Sequence, residues 1–301
     1  MGKACSESGN QVNTPWALHN FGCGDAHFYT MNIAQTPYTA LQKKIIDIYE
    51  ALSSHHNLTP REEINNLFSS LVDIVISTPK DLSAQLLSTP EIQTIQQDLL
   101  SICSKGEYEL ELAYAKKIRE SHTPYETLAE FPYIENYKNL TAMEVEHLQP
   151  CTPGAHRILF IGGGPLPLSA ILMAQIHNIQ VDVLDKDEAA CSVSKDVLQA
   201  LGLEDRIRVI HGDISHTKTL DTYTAIILAA LVGESQQEKD EIIQHIAEHT
   251  HKGTCLILRS VQDLGKLLYP EVILNNDAVT IVDFVHPTKD VINPILICTI
   301  K

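Results

Sequence analysis

The sequence predicts an α/β protein: a Rossmann-like sheet, mostly parallel and closing in a C-terminal antiparallel hairpin, preceded by an all-helical region. Three observations predict it. From Pro37 to about residue 150, apolar residues recur at helical spacing. After Pro153 come short β-rich runs, "RILFIG", "QVDVLD", "RIRVIHGD", "YTAIILAAL" and "GTCLILRS", with helical stretches between them. Such alternation implies a parallel sheet covered on both faces. At the end, "AVTIVDFVH" and "NPILICTI" follow with no long helix between, so they should pair antiparallel.

Taken in order, residues 1–36 contain glycines and no period, and read as an irregular N-terminal segment. The helical domain covers 37–150. "PYTALQKKIIDIYEAL" opens on a proline suited to a first turn. In "TPREEINNLFSSLVDIVI", Thr59-Pro60 with a Glu at the third helical position marks a start. "TPEIQTIQQDLLSICS" repeats the signal, and "GEYELELAYAKKIRESH" reads as a fourth helix. "FPYIENY" is aromatic and broken by proline, and "NLTAMEVEHL" returns to helix. Residues 151–301 make the Rossmann-like domain, with "PLSAILMAQIHN", "DEAACSVSKDVLQALG" and "ESQQEKDEIIQHIAEHT" as its helices. The closing strand pair is the pattern of S-adenosylmethionine (SAM) methyltransferase sheets.

Composition narrows the class. The chain has 301 residues, 44% hydrophobic and 20% charged, as a packed soluble protein should. A net charge of −16 argues against nucleic-acid binding, which needs basic surface. No apolar run approaches the ~18 residues that cross a membrane, and "MGKACSESGNQ" lacks a signal core. The seven cysteines form no C-x-x-C pair and read as reduced thiols of a cytoplasmic protein. "HNFGCGDAH" spaces His19, Cys23 and His27 evenly, but its glycines interrupt a helix, so a polar loop is the stronger reading and no metal is expected. "MGKACS" also fits the short myristoylation pattern, which is set aside.

In "ILFIGGGPLPL", Gly162, Gly163 and Gly164 follow the first strand, where missing side chains let a ligand approach the backbone and the next helix N-terminus. A tight turn would need glycine too. Asp185 ends the second strand about 20 residues on, where a carboxylate accepts ribose hydroxyls. Asp187 could be a solvated loop acid. Asp213 ends the third strand, within reach of an adenine amino group, or as a turn or cap aspartate. Glycines and acids at successive strand ends point together to a nucleotide. Pro165 and Pro167 occupy the helix entrance where a G-x-G-x-x-G loop would continue, which favours SAM over NAD.

"FIGGGPLPL", "FPYIENYKNL", "LDKD", "ILAALVG", "LRSVQDLGKLLYP" and "HPTKDVINPILI" resemble, in order, segments of the nicotianamine synthase family, which includes archaeal and bacterial enzymes of opine metallophore synthesis. The resemblance covers about residues 100–301 and agrees only in type before that. It implies transfer of the 3-amino-3-carboxypropyl (aminobutyrate) group of SAM, a co-substrate, to an amine, with methylthioadenosine leaving. On this reading the Cγ carbon, not the methyl, must face the amine. A stiff "GGGPLPL" loop could set that angle, or its prolines could simply cap the helix. Glu111 shares a helical face with Tyr114 and Ile118. With Leu110 and Tyr114 it matches the family's L-E-x-x-Y segment, which makes Glu111 the candidate base or amine orienter. Glu107 lies one turn earlier and can assist, whereas Glu109 points elsewhere, toward solvent. Tyr137 is the second catalytic candidate, with Tyr133 and Asn136 as substrate neighbours or interdomain packing. Arg259, ending the fifth strand, pairs with a substrate carboxylate or with a structural acid.

The implied product is nicotianamine or a related metallophore, with a small amine or amino-acid acceptor, no metal in the chemistry, and room for a homodimer. Two alternatives stay open: an ordinary SAM-dependent small-molecule methyltransferase, which would release S-adenosylhomocysteine, and a non-catalytic SAM-binding protein.

Overall fold

Among the described residues, helices come first and bury apolar stripes against one another before any strand is reached. The structure, a computed structural model, describes residues 37–152, 157–233, 235–287 and 291–301. The segment 1–36, with His19, Cys23 and His27, lies outside the described residues. Helices α1 (Pro37–Ser53), α2 (Glu62–Ser77), α3 (Lys80–Leu87) and α4 (Pro90–Glu120) pack around Ile45, Leu52, Ile64, Leu71, Leu86 and Ile92. Leu264, Leu267 and Leu268 from the far end of the chain complete that core. Short α5 (Pro124–Ala129) and then α6 (Ile134–Cys151) lead to the sheet.

Three helix boundaries differ from expectation. α2 begins at Glu62 behind Arg61, and no side chain caps it; Thr59 instead donates to Glu109 Oε2 at 3.4 Å. The third and fourth expected helices are one helix, α4, 31 residues long and continuous through Gly106. A glycine weakens a helix without necessarily ending it. α6 starts at Ile134, directly after Tyr133, so "IENY" is helical.

The sheet follows as β1 (Arg157–Ile161), α7 (Leu168–His177), β2 (Gln180–Asp185), α8 (Glu188–Leu201), β3 (Ile207–His211), β4 (Ala225–Leu228), α9 (Gln236–Glu248), β5 (Cys255–Arg259), β6 (Val279–Val285) and β7 (Ile295–Ile300). Strand order is β3-β2-β1-β4-β5-β7-β6, with β7 antiparallel to both neighbours as the closing runs predict. β4 and β5 are buried throughout, which is why their runs carry no polar alternation. Ile161 is level with Leu184 on β2 and Leu228 on β4. The loops leaving these strands therefore emerge side by side. Strand order reverses between β1 and β4, the place where such sheets leave a crevice for ligand.

Candidate active site

The strand ends build the glycine loop. After Ile161 the chain turns through Gly162 (φ 87°) and Gly164 (φ 63°), left-handed conformations open to glycine. The neighbours are close as well: a Cβ on Gly162 would meet Val232 Cγ2, and one on Gly164 would displace Glu111 Oε2. The Gly162 N–H donates to the Leu184 carbonyl at 2.8 Å, and the Gly164 N–H to Asp185 Oδ2 at 2.8 Å. Pro167 (φ −74°, ψ 60°) forms an inverse γ-turn, closed by Leu168 N–H to the Leu166 carbonyl at 2.6 Å. The prolines thus introduce α7 without a side-chain cap and leave the Leu166 amide to face Glu111.

Asp185 accepts the Asp187 N–H on its other oxygen at 2.9 Å. Each of its oxygens keeps a further lone pair, and the residue lines a cavity of about 410 Å³ that the glycine loop also lines. Asp187 is a helix cap: it accepts from the amides of Ala189 (2.8 Å) and Ala190 (3.1 Å) at the start of α8, and from the Tyr108 hydroxyl at 3.0 Å. The Ala190 amide is the main cause of its lowered pKa. Asp213 is exposed at the end of β3 and borders the cavity. It accepts from both the hydroxyl and amide of Ser215, at 2.8 and 2.9 Å, and these bonds lower its pKa.

Across the cavity stands α4. Glu107 and Glu111 face inward from it, one turn apart. Burial raises the Glu111 pKa well above the usual carboxylate range, and the charge of Glu107 adds to the rise, while the Leu166 amide opposes it. Glu107 is also raised by burial, offset in part by the phenols of Tyr137 and Tyr269 and by Arg259. The Tyr137 hydroxyl donates to Glu107 Oε1 at 3.1 Å. Burial and Glu107 hold the Tyr137 and Tyr269 hydroxyls well above their usual pKa, so both remain donors. Tyr133 and Asn136 join the lining. Phe131 organises the aromatics edge-on, 5.2 Å from Tyr114, 6.2 Å from Tyr133 and 6.3 Å from Tyr137. Ile118 is fully buried on the Glu111 stripe, and Glu109 is half-buried beside Thr59 rather than free in solvent.

Arg259 reaches the cavity wall, but its fork is engaged. Nε donates to Glu144 Oε1 at 2.7 Å, and Nη2 to Glu144 Oε2 at 2.9 Å and to Ser169 Oγ at 2.8 Å. The structural acid weighed in the sequence is thus Glu144 of α6. Glu144, Ser169, Tyr108 and Tyr269 were not singled out from sequence. Tyr269 had a signal, since it lies in "LRSVQDLGKLLYP"; Glu144 is one glutamate among several on an amphipathic helix. Among the described residues no group of three or more metal-ligating side chains forms, and no helix is long and apolar enough to cross a membrane.

A family model described as nicotianamine synthase protein matches residues 34–301. Nicotianamine synthase 2 of Oryza sativa subsp. japonica is 33% identical over 269 residues, spanning 86% of this chain and 82% of the relative. Nicotianamine synthase 1 of Hordeum vulgare is 32% identical over 277 residues, with 89% and 84% covered. Among solved structures, MtNAS in complex with MTA and tNA superposes with a TM-score of 0.77 at 22% identity, covering 88% of this chain and 99% of that one. A glutamate-to-glutamine mutant of MtNAS in complex with S-adenosylmethionine gives 0.73 at 22% identity, covering 86% and 97%. At such identity these two likenesses show the fold.

Proposed function

The chain belongs to the nicotianamine synthase family, and from that premise we propose how its cavity carries out the reaction. The protein is a transferase that moves the aminobutyrate group of SAM to an amine, releases methylthioadenosine, and makes nicotianamine or a related product. SAM is the co-substrate. In the proposal, Asp185 accepts the ribose hydroxyls, Asp213 meets the adenine edge, and Gly162, Gly163 and Gly164 let the ligand lie against the backbone. The acceptor amine occupies the space in front of α4. Its nitrogen attacks Cγ of the methionine part; the Cγ–S bond breaks, and its electron pair passes to sulfur. Glu111 takes the amine proton, as a base whose affinity for the proton burial has raised above that of an ordinary carboxylate. Tyr137 and Glu107 orient the amine, and Tyr133 and Asn136 shape its surroundings. Arg259 acts from behind the wall, since Glu144 holds its fork.

One observation carries the assignment: Glu111 lines the cavity and its carboxylate also reaches the space over Gly164, so the proposed base stands beside the donor loop. The scheme uses no metal. An amino-acid amine is the proposed acceptor, and a cytoplasmic enzyme with reduced thiols, as a monomer or homodimer, is the proposed setting; Cys103, Cys191, Cys255 and Cys298 are buried and unpaired.

The test is incubation with SAM and candidate amino acids, followed by mass spectrometry. One methylthioadenosine per added aminobutyrate unit is expected. S-adenosylhomocysteine as by-product would replace the assignment with methyl transfer, and SAM binding without either by-product would make the chain a binding protein.

A further inference from the structure

Gly106 sits in the middle of α4, where any other common residue but proline would make a stronger helix. The space its side chain would take is filled: a Cβ there would overlap the Phe68 ring of α2. Phe68 is not sealed in the helical core. It is half-buried and lines the cavity together with Ile64, Asn65, Ser69 and Val72, which share its face of α2. The next residue on α4 is Glu107, and Glu111 follows one turn later against Gly164. Along α4, then, the donor loop meets the helix at Glu111 and the α2 wall meets it at Gly106, about 7.5 Å nearer the N-terminus.

We propose that Phe68, admitted onto α4 by the missing side chain of Gly106, is the end wall of the acceptor site and sets the bulk of amine the enzyme takes. This rests on the transfer reaction above, which places the acceptor amine in front of α4, in the cavity that Glu111 and Phe68 both line. The attacking nitrogen must lie in line with the breaking Cγ–S bond. Whatever the nitrogen carries therefore extends away from sulfur, along α4 toward Gly106. The ring there offers neither charge nor a hydrogen bond, so it discriminates by shape.

Two variants move this wall in opposite directions. Phe68→Ala deepens the site, and Gly106→Ala crowds the ring off α4 into the space it borders. Each is given SAM alone and SAM with L-alanine, L-glutamate or L-histidine. Mass spectrometry counts aminobutyrate units per product, and methylthioadenosine release gives the rate. Phe68→Ala should raise the rate with L-histidine relative to L-alanine, or the share of longer products from SAM alone, by about tenfold, the scale of discrimination by a few apolar atoms. Gly106→Ala should lower the same ratio by a similar factor. Phe68→Leu keeps an apolar side chain for packing and should shift the ratio in the Phe68→Ala direction even where the alanine variant unfolds. Unchanged ratios in folded Phe68→Leu and Gly106→Ala proteins would overturn the wall and leave the transfer reaction standing. Absence of methylthioadenosine from the wild-type protein under every condition would remove the reaction itself, and the wall with it.

Discussion

Glu111 and Glu107 are two acids enclosed in one cavity, and their raised pKa values carry a cost in stability. An acid whose folded pKa lies above its unfolded value binds more protons when folded. The resulting penalty is absent below the unfolded pKa and complete above the folded one. Glu111→Gln removes that penalty. Its melting temperature should equal or exceed the wild type's at neutral pH, and the difference should shrink on acidification. Its methylthioadenosine release should fall by about 10²- to 10⁴-fold, with SAM affinity kept. The wild-type rate should decline as pH falls through the raised Glu111 value, because the base is then protonated. Near wild-type turnover by Glu111→Gln at saturating acceptor would move the base to Glu107. Asp185 makes a separate prediction: Asp185→Ala leaves the Gly164 amide without its acceptor and should weaken SAM binding by roughly 1.5–3 kcal/mol, read by calorimetry. The placement of several candidate residues around the cavity was legible at residue level. The i, i+3, i+7 stripe brought Glu111 inward with Tyr114 and Ile118, and strand ends marked Asp185 and Asp213. The partner of Arg259 was not legible, because Glu144 lies 115 residues away and only the folded packing of α6 on β5 joins them.

At the scale of elements, that same pair ties α6 to the fifth strand. Glu144 is fully buried and Arg259 is 6% exposed, so neither charge has water to fall back on. Glu144→Ala should cost about 3–5 kcal/mol, the usual penalty for leaving one member of a buried pair alone. Urea unfolding reads it, and a loss below about 1 kcal/mol would show that the Arg259 charge finds another partner. α4 is the other organising element. Its C-terminal half reaches α8 through Tyr108 on Asp187 and Arg119 on Asp196, while its middle presents the acids. The sequence hid its continuity: glycine at 106 resembles punctuation until the Phe68 ring is seen in its place. Strands were easier to read, because runs such as "AIIL" are short, apolar and bounded by turns.

For the whole molecule, the sequence divides a helical half from a Rossmann half near residue 150, where the period of apolar residues changes. Packing does not follow that line. One apolar core joins Ala115, Ile118 and Phe131 of the helical half to Ile158, Phe160 and Val183 of the sheet. Another joins Ile64, Leu71 and Leu99 to Leu264, Leu267 and Leu268. The cavity is lined from both halves as well. Losing either half would expose apolar surface of the other, at roughly 25 cal/mol per Å², so neither should persist when its partner unfolds. Calorimetry should therefore show a single transition for residues 37–301, with calorimetric and van't Hoff enthalpies in agreement. SAM at about 100 times its dissociation constant should move that whole transition upward, by about 2.7 kcal/mol of added stability. Two peaks, of which SAM moved only one, would mean that the Rossmann half binds SAM and stands alone. The acids of α4 would then meet the donor loop only through docking, and mutations in the shared cores would alter turnover without altering SAM affinity.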